Sequence, residues 1–174
     1  LTATCDLRGA LGALTGNAES PSLVVVVVPS HTTRAVLGPV ADAIPAHALI
    51  VSASKGIENE SLLTMDEVLQ QVLPAHADRI AVLSGPSFAR ETAEGQPTAV
   101  VVAARQRAVA EAVQRAFQVT TFRVYTADDV IGVEIGGAVK NVIAIACGMA
   151  EGLGFGHNTR AALVTRGLAE IARL

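Results

Sequence analysis

Leu23-Val24-Val25-Val26-Val27-Val28-Pro29-Ser30-His31-Thr32-Thr33 is the stretch whose reading decides the fold. Its unbroken aliphatic run carries no polar alternation, the pattern of a strand buried on both faces of a parallel sheet rather than one with a wetted side. Pro29 stops the strand, and Ser30-His31-Thr32-Thr33 leads into a helix that starts near Arg34. Ligands of an open α/β sheet sit beyond the carboxyl ends of its strands, so Ser30 and His31 are candidates for a cofactor contact. Capping the helix start is the commoner use of such residues.

The same grammar repeats along the chain. A short helix over Asp6 to Leu14 and a turn-rich segment from Thr15 to Pro21 come before the valine run. Ala48 to Ser52 reads as the next strand and runs directly into Ala53-Ser54-Lys55-Gly56-Ile57-Glu58, which puts a fixed positive charge at the functional edge of the sheet. An anionic ligand is its natural partner, against the default of an exposed loop lysine. A helix over Leu62 to Leu73 leads to a strand at Ile80 to Leu83, which ends in Ser84-Gly85-Pro86-Ser87-Phe88-Ala89-Arg90-Glu91. There Gly85 permits close backbone approach and Pro86 suits the first helical position, so the following amides offer a phosphate site or merely turn the chain. A strand at Thr98 to Ala103, an amphipathic helix over Arg105 to Phe117 and a strand at Thr121 to Tyr125 complete the alternation.

Asp128-Asp129 then opens a long helix with negative charge at its N-terminus, as the helix dipole prefers. From Val130 to Ala150 it is apolar almost all round, which predicts burial inside a domain. Glu134, Lys140 and Asn141 alone break the apolar run, and together with four glycines they argue against a membrane span. At about 100° per residue, Gly136, Gly137, Ile143 and Ala144 lie one turn either side of Lys140, so a large group could approach its ammonium closely. An apolar wall around an amine strips its hydration and lowers its pKa toward the range of proton transfer, against the default of a lysine that snorkels to the surface. Asn141 adds a donor and an acceptor beside it. A glycine-rich turn, Gly152-Leu153-Gly154-Phe155-Gly156, leads into a last helix from about Asn158, on which Arg160 and Arg166 read as solvated or structural.

Composition narrows the function classes. The 174 residues are 51% hydrophobic but only 3% aromatic, without Trp, so the core is aliphatic. A net charge of −3 without basic blocks gives no footprint for nucleic acid or anionic membrane. Cys5 and Cys147 stand far apart and form neither a disulfide framework nor a metal cluster; both are expected reduced and buried, in a cytoplasm. The chain opens on Leu1 and stops inside a helical pattern, and is expected to be a fragment cut at both ends.

Four blocks in order, V-V-V-V-P-S-H, S-A-S-K-G-I-E, L-S-G-P-S-F-A-R-E and G-G-A-V-K-N-V…G-L-G-F-G-H-N-T-R-A-A-L-V-T-R-G-L-A-E, resemble the NAD(P)-dependent sn-glycerol-3-phosphate dehydrogenases of the bacterial type over essentially the whole chain. The resemblance implies an α/β fold: an incomplete Rossmann-like doubly wound sheet at residues 1–128, lacking its N-terminal G-x-G-x-x-G unit, then the first helices of an all-α C-terminal domain at residues 129–174. It also implies hydride transfer between NAD or NADP and dihydroxyacetone phosphate or sn-glycerol 3-phosphate, feeding phospholipid synthesis, with a homodimer compatible.

By the same resemblance Lys140 matches the proton-transferring lysine and Asn141 its substrate-contacting neighbour. Lys55 matches the lysine that touches substrate and nicotinamide, Gly85 and Ser87 match substrate contacts, and Ala89 matches a cofactor contact. With the dinucleotide turn and later helical residues missing, the 174 residues alone are expected neither to bind NADPH well nor to turn over substrate. Two readings compete. A 3-hydroxyacid dehydrogenase of the same plan would space its Lys and Asn about four residues apart on one helical face, whereas here they are adjacent. A non-catalytic α/β module would have no use for Lys55, Gly85, Lys140 and Asn141 together.

Overall fold

In the computed structural model, which describes residues 2–17 and 19–174, β1 (Leu23–Val26), β2 (Leu49–Ser52), β3 (Ile80–Ser84), β4 (Thr98–Ala104) and β5 (Phe122–Ala127) form one sheet in that spatial order. β1, β2 and β3 are mutually parallel, in the register Leu23 opposite Leu49 and Ile50 opposite Ile80. Helix α1 (Leu7–Gly12) precedes the sheet, α2 (Thr33–Leu37) links β1 to β2, and α3 (Met65–Val72) links β2 to β3. Beyond β3 come α4 (Ala89–Ala93), α5 (Arg107–Phe117), α6 (Val130–Gly152) and α7 (His157–Ile171).

Alternate side chains of the strands feed two aliphatic layers. Val26, Ile50 and Ile80 point to the side covered by α1, α2 and α3, where they meet Leu11, Leu37 and Leu69. Leu49, Val51, Ala81, Leu83, Val100, Val102 and Val124 point the other way, onto Ala110 and Val113 of α5. Every residue of β2 is buried, so this strand lies at the middle of both layers. Full burial of each such Val, Leu or Ile contributes about 1.5–3 kcal/mol, which is how a core almost without aromatics holds. A third group, Val82, Ala103 and Val130, seats the start of α6 on the sheet.

The structure departs from the sequence reading in four places. β4 runs antiparallel to β3, with Val82 opposite Ala103, so the sheet is mixed. The physical reason lies in α4: its five residues reach about 7.5 Å at 1.5 Å per residue, too short to carry the chain back along a strand of about 16 Å. The strand β4 makes the return itself. The helix expected from Arg34 is broken into the short α2 between two 3-10 turns, Ser30–Thr32 and Gly38–Ala43. There Pro39 at the head of the second turn has no amide to continue an α-helical ladder.

Among the described residues helix α6 is only partly covered. Val130, Glu134 and Ala150 are buried, while Ile131, Val142, Ile145 and Met149 are exposed. A helix apolar on every side needs cover on every side, and among the described residues the sheet, α7 and the head of α3 supply it in part. Gly167 of α7 gives close packing, since a β-carbon there would come within 2.5 Å of Ile143. By length and composition α6 is also apolar enough to cross a membrane. Lastly, Cys5 is exposed and Cys147 half-buried, and neither is in a disulfide.

Candidate active site

The carboxyl ends of β2 and β3 and the first half of α6 enclose an open cleft of about 470 Å³, lined among others by Lys55, Ser84, Gly85, Ser87, Phe88, Gly137 and Lys140. Each wall follows from local sequence. Lys55 stands three residues past the end of β2, where Ser54 Oγ donates to the carbonyl of Val28 at 2.6 Å and ties the loop to the end of the valine run. Gly56 has a φ of +136°, and a β-carbon there would meet Ser30 Oγ at 2.8 Å. Ser30 therefore packs the loop from behind and does not line the cleft.

The Lys55 ammonium donates to the carbonyl of Gly85 at 2.7 Å. That carbonyl is available because Gly85 turns at φ +146°, with its α-carbon so close to β4 that a β-carbon would stand 2.9 Å from Val100 Cα. No L side chain fits there without strain. Across the cleft, Gly137 brings the α6 backbone against β3: a β-carbon on it would lie 2.6 Å from Ser84 Oγ and 3.9 Å from Lys55 Cγ. Lys140, one turn further along α6, reaches the same space and donates to Asn141 Oδ1 at 2.6 Å.

Two ammonium groups thus share one cleft that no carboxylate lines. Burial lowers the pKa of Lys55, and the charge of Lys140 lowers it further. The apolar wall expected around Lys140 is not closed, because that side chain is exposed; Lys55 is the amine that burial presses. An anion placed between the lysines would reverse their mutual repulsion, which makes the site electrostatically incomplete without one.

Lys55, Gly85, Ser87 and Lys140 are brought together by the fold. Asn141 and Ala89 are exposed and do not line the cleft, although Asn141 touches it through Lys140. The phosphate reading of the turn before α4 loses its helix-dipole part, since a single turn sums few peptide dipoles; the lysines carry the anion case instead. Gly136, expected beside Lys140, lines the cleft, as do Ser84 and Phe88, which were not singled out from sequence. An aromatic at the head of a helix just past a strand, Phe88, 73% exposed, was the readable signal. Arg160 and Arg166 stand away from the cleft, paired with Glu151 at 3.8 Å and with Glu170 respectively.

Comparison with known proteins agrees with this geometry. The family model described as the N-terminus of NAD-dependent glycerol-3-phosphate dehydrogenase matches residues 2–110, and that described as its C-terminus matches residues 129–174. The glycerol-3-phosphate dehydrogenase [NAD(P)+] of Geobacter sp. (strain M21) is 58% identical over 154 residues, covering 88% of this chain and 46% of the relative. The protein of that name from Myxococcus xanthus is 54% identical over 173 residues, covering 99% and 50%. The crystal structure of glycerol-3-phosphate dehydrogenase from Coxiella burnetii superposes with a TM-score of 0.82 at 38% identity, covering 98% of this chain and 49% of that one. The chain spans about half the length of the curated relatives it matches.

Proposed function

The chain belongs to the NAD-dependent glycerol-3-phosphate dehydrogenase family, and from that premise we propose that the whole protein interconverts dihydroxyacetone phosphate and sn-glycerol 3-phosphate with NAD or NADP. The observation that carries the proposal is the shared cleft of Lys55 and Lys140, two cations at the carboxyl edge of the sheet with no acidic lining. A phosphorylated ketose supplies the anion such a cleft lacks.

The cofactor fits in part. The strained, Cβ-free approach at Gly85 leaves room against the strand ends, and Lys55 with Ala89 would hold the nicotinamide end. The G-x-G-x-x-G turn that would hold a pyrophosphate has no counterpart among these residues. A bound dihydronicotinamide would supply the hydride. The protein side of the reduction belongs to the lysines. Charge develops on the carbonyl oxygen as its π pair is released. Protonated Lys140 stabilises that oxygen and passes it a proton from Nζ, leaving a neutral amine and the secondary alcohol. Asn141 holds the Lys140 ammonium from behind and keeps its own amide hydrogens for the substrate. Lys55, fixed by Gly85, and Ser87 hold the substrate in line and so reduce the entropy of the encounter.

We place the division between the dinucleotide-binding and helical parts at residues 128 and 129, which the two matched ranges support. The partner is a small molecule, the product enters glycerophospholipid synthesis, and a homodimer in a reducing cytoplasm suits two unpaired cysteines. The test is oxidation of NADPH or NADH by the whole protein with dihydroxyacetone phosphate. Turnover is expected, and Lys140→Ala should lower the rate on the order of 100-fold or more. An inert whole protein, or a Lys140→Ala variant at the unsubstituted rate, would overturn the proposal.

A further inference from the structure

Glu134 is a charged residue that the cleft does not use. It is 8% exposed, sits on α6 well before Lys140, and points away from the cleft toward the head of α3. There its Oε1 accepts a hydrogen bond of 2.8 Å from the backbone N–H of Asp66, across 68 residues of sequence. The Asp66 side chain is in turn held by Arg105 at 2.7 Å and by Gln70 at 2.6 Å. One backbone amide therefore joins α6 to a network that already ties α3 to the loop after β4.

The apolar contact between α6 and the sheet is made by small or short side chains, among them Val130 and Val133 on Val82 and Ala103, and Gly137 on Ser84. Such a contact resists sliding poorly, because a smooth aliphatic surface has no directional term. A hydrogen bond from a buried amide to a carboxyl oxygen does have one, and leaving that amide unmet costs its full desolvation.

We propose that Glu134 is a positioning residue: seated on the Asp66 amide, its carboxylate fixes the place of α6 along the sheet and thereby sets Lys140 opposite Lys55. It does not touch the substrate. The inference rests on the proposed dehydrogenase only for its kinetic consequence; the placement of the lysines can be read without turnover.

The experiment compares the whole protein with its Glu134→Gln and Glu134→Met variants. Glutamine keeps an acceptor oxygen for the amide, and methionine keeps the volume without one. A short amine-reactive cross-linker, read by peptide mass spectrometry, should join Lys55 to Lys140 equally in the unsubstituted protein and in Glu134→Gln. In Glu134→Met the yield should fall about fivefold or more. In turnover, Glu134→Met should lower kcat/KM about 10- to 100-fold through kcat more than through KM, and glutamine should restore it.

Unchanged cross-linking in a folded Glu134→Met protein overturns the proposal, whatever the protein proves to catalyse. If that variant does not fold, hydrogen exchange in the unsubstituted protein decides. The Asp66 amide should exchange as slowly as the amides of β3, and exchange at the rate of exposed helix-end amides overturns the proposal.

Discussion

Gly137 of α6 lies against Ser84 at the end of β3 so closely that a β-carbon on the glycine would meet Ser84 Oγ at 2.6 Å. The obstructing atom ends a short side chain that can rotate, so Gly137→Ala is expected to change stability by less than about 1 kcal/mol, helix propensity offsetting the contact. A branched side chain finds no such relief. Gly137→Val should destabilise by about 1–3 kcal/mol and widen the gap between the lysines. Thermal melts of the two variants check this, and equal melting temperatures would mean that close approach is not what the glycine provides.

Lys55 has a lowered pKa, first through burial and then through the charge of Lys140. Removing that charge as Lys140→Gln should raise the Lys55 pKa only part of the way back to the ordinary 10.5, because the larger cause persists. The sign for stability follows from the folded state shedding this proton first. As pH rises from the lowered value toward 10.5 the penalty on the charged form disappears and stability climbs. A carbon-detected titration of the lysine side chains measures the shift; full recovery would show that burial contributes nothing.

The fold was readable where chemistry is local. The valine run before Pro29, the lysine just past β2 and the glycine turn after β3 each announce themselves within a few residues, and the last two supply walls of the cleft. What could not be read depends on lengths and distant partners. The reversal of β4 follows from the shortness of α4, and helix boundaries are the least legible feature of a sequence. The placement of Glu134 on the Asp66 amide joins residues that no periodicity connects. The exposure of α6 differs from the expectation because its apolar residues run all round, while its cover among the described residues is partial.

That exposure has a measurable outcome. Val142, Ile145 and Met149 follow one another at helical spacing on a single open face of α6, each more than 60% exposed. Contiguous apolar surface of this kind recruits other apolar surface. The 174-residue chain should enhance the fluorescence of an apolar dye such as ANS and associate with itself, and Ile145→Glu with Met149→Glu should suppress both. Dye binding that ignores the two substitutions would place the responsible surface elsewhere.

Glu134 also gives the protein a pH dependence of known sign. Its pKa is raised above the ordinary 4.5, chiefly by burial, with the negative charge of Asp66 adding to the rise while hydrogen bonds from Thr64 and the Asp66 amide pull against it. A carboxyl raised in the folded state binds its proton more tightly there than in the unfolded chain. Its contribution to stability is therefore complete below 4.5 and is lost as pH climbs through the raised value. Glu58 has a lowered pKa, first through its hydrogen bond from Arg34, and acts oppositely, since its contribution is lost as pH falls. Glu134→Gln separates the two effects: its amide cannot titrate, so the melting temperature of the variant, measured relative to the unsubstituted protein, should rise as pH climbs above 4.5. A difference that stays flat across that window would mean the carboxyl is already ionised at its lower end, and that burial does not hold its proton.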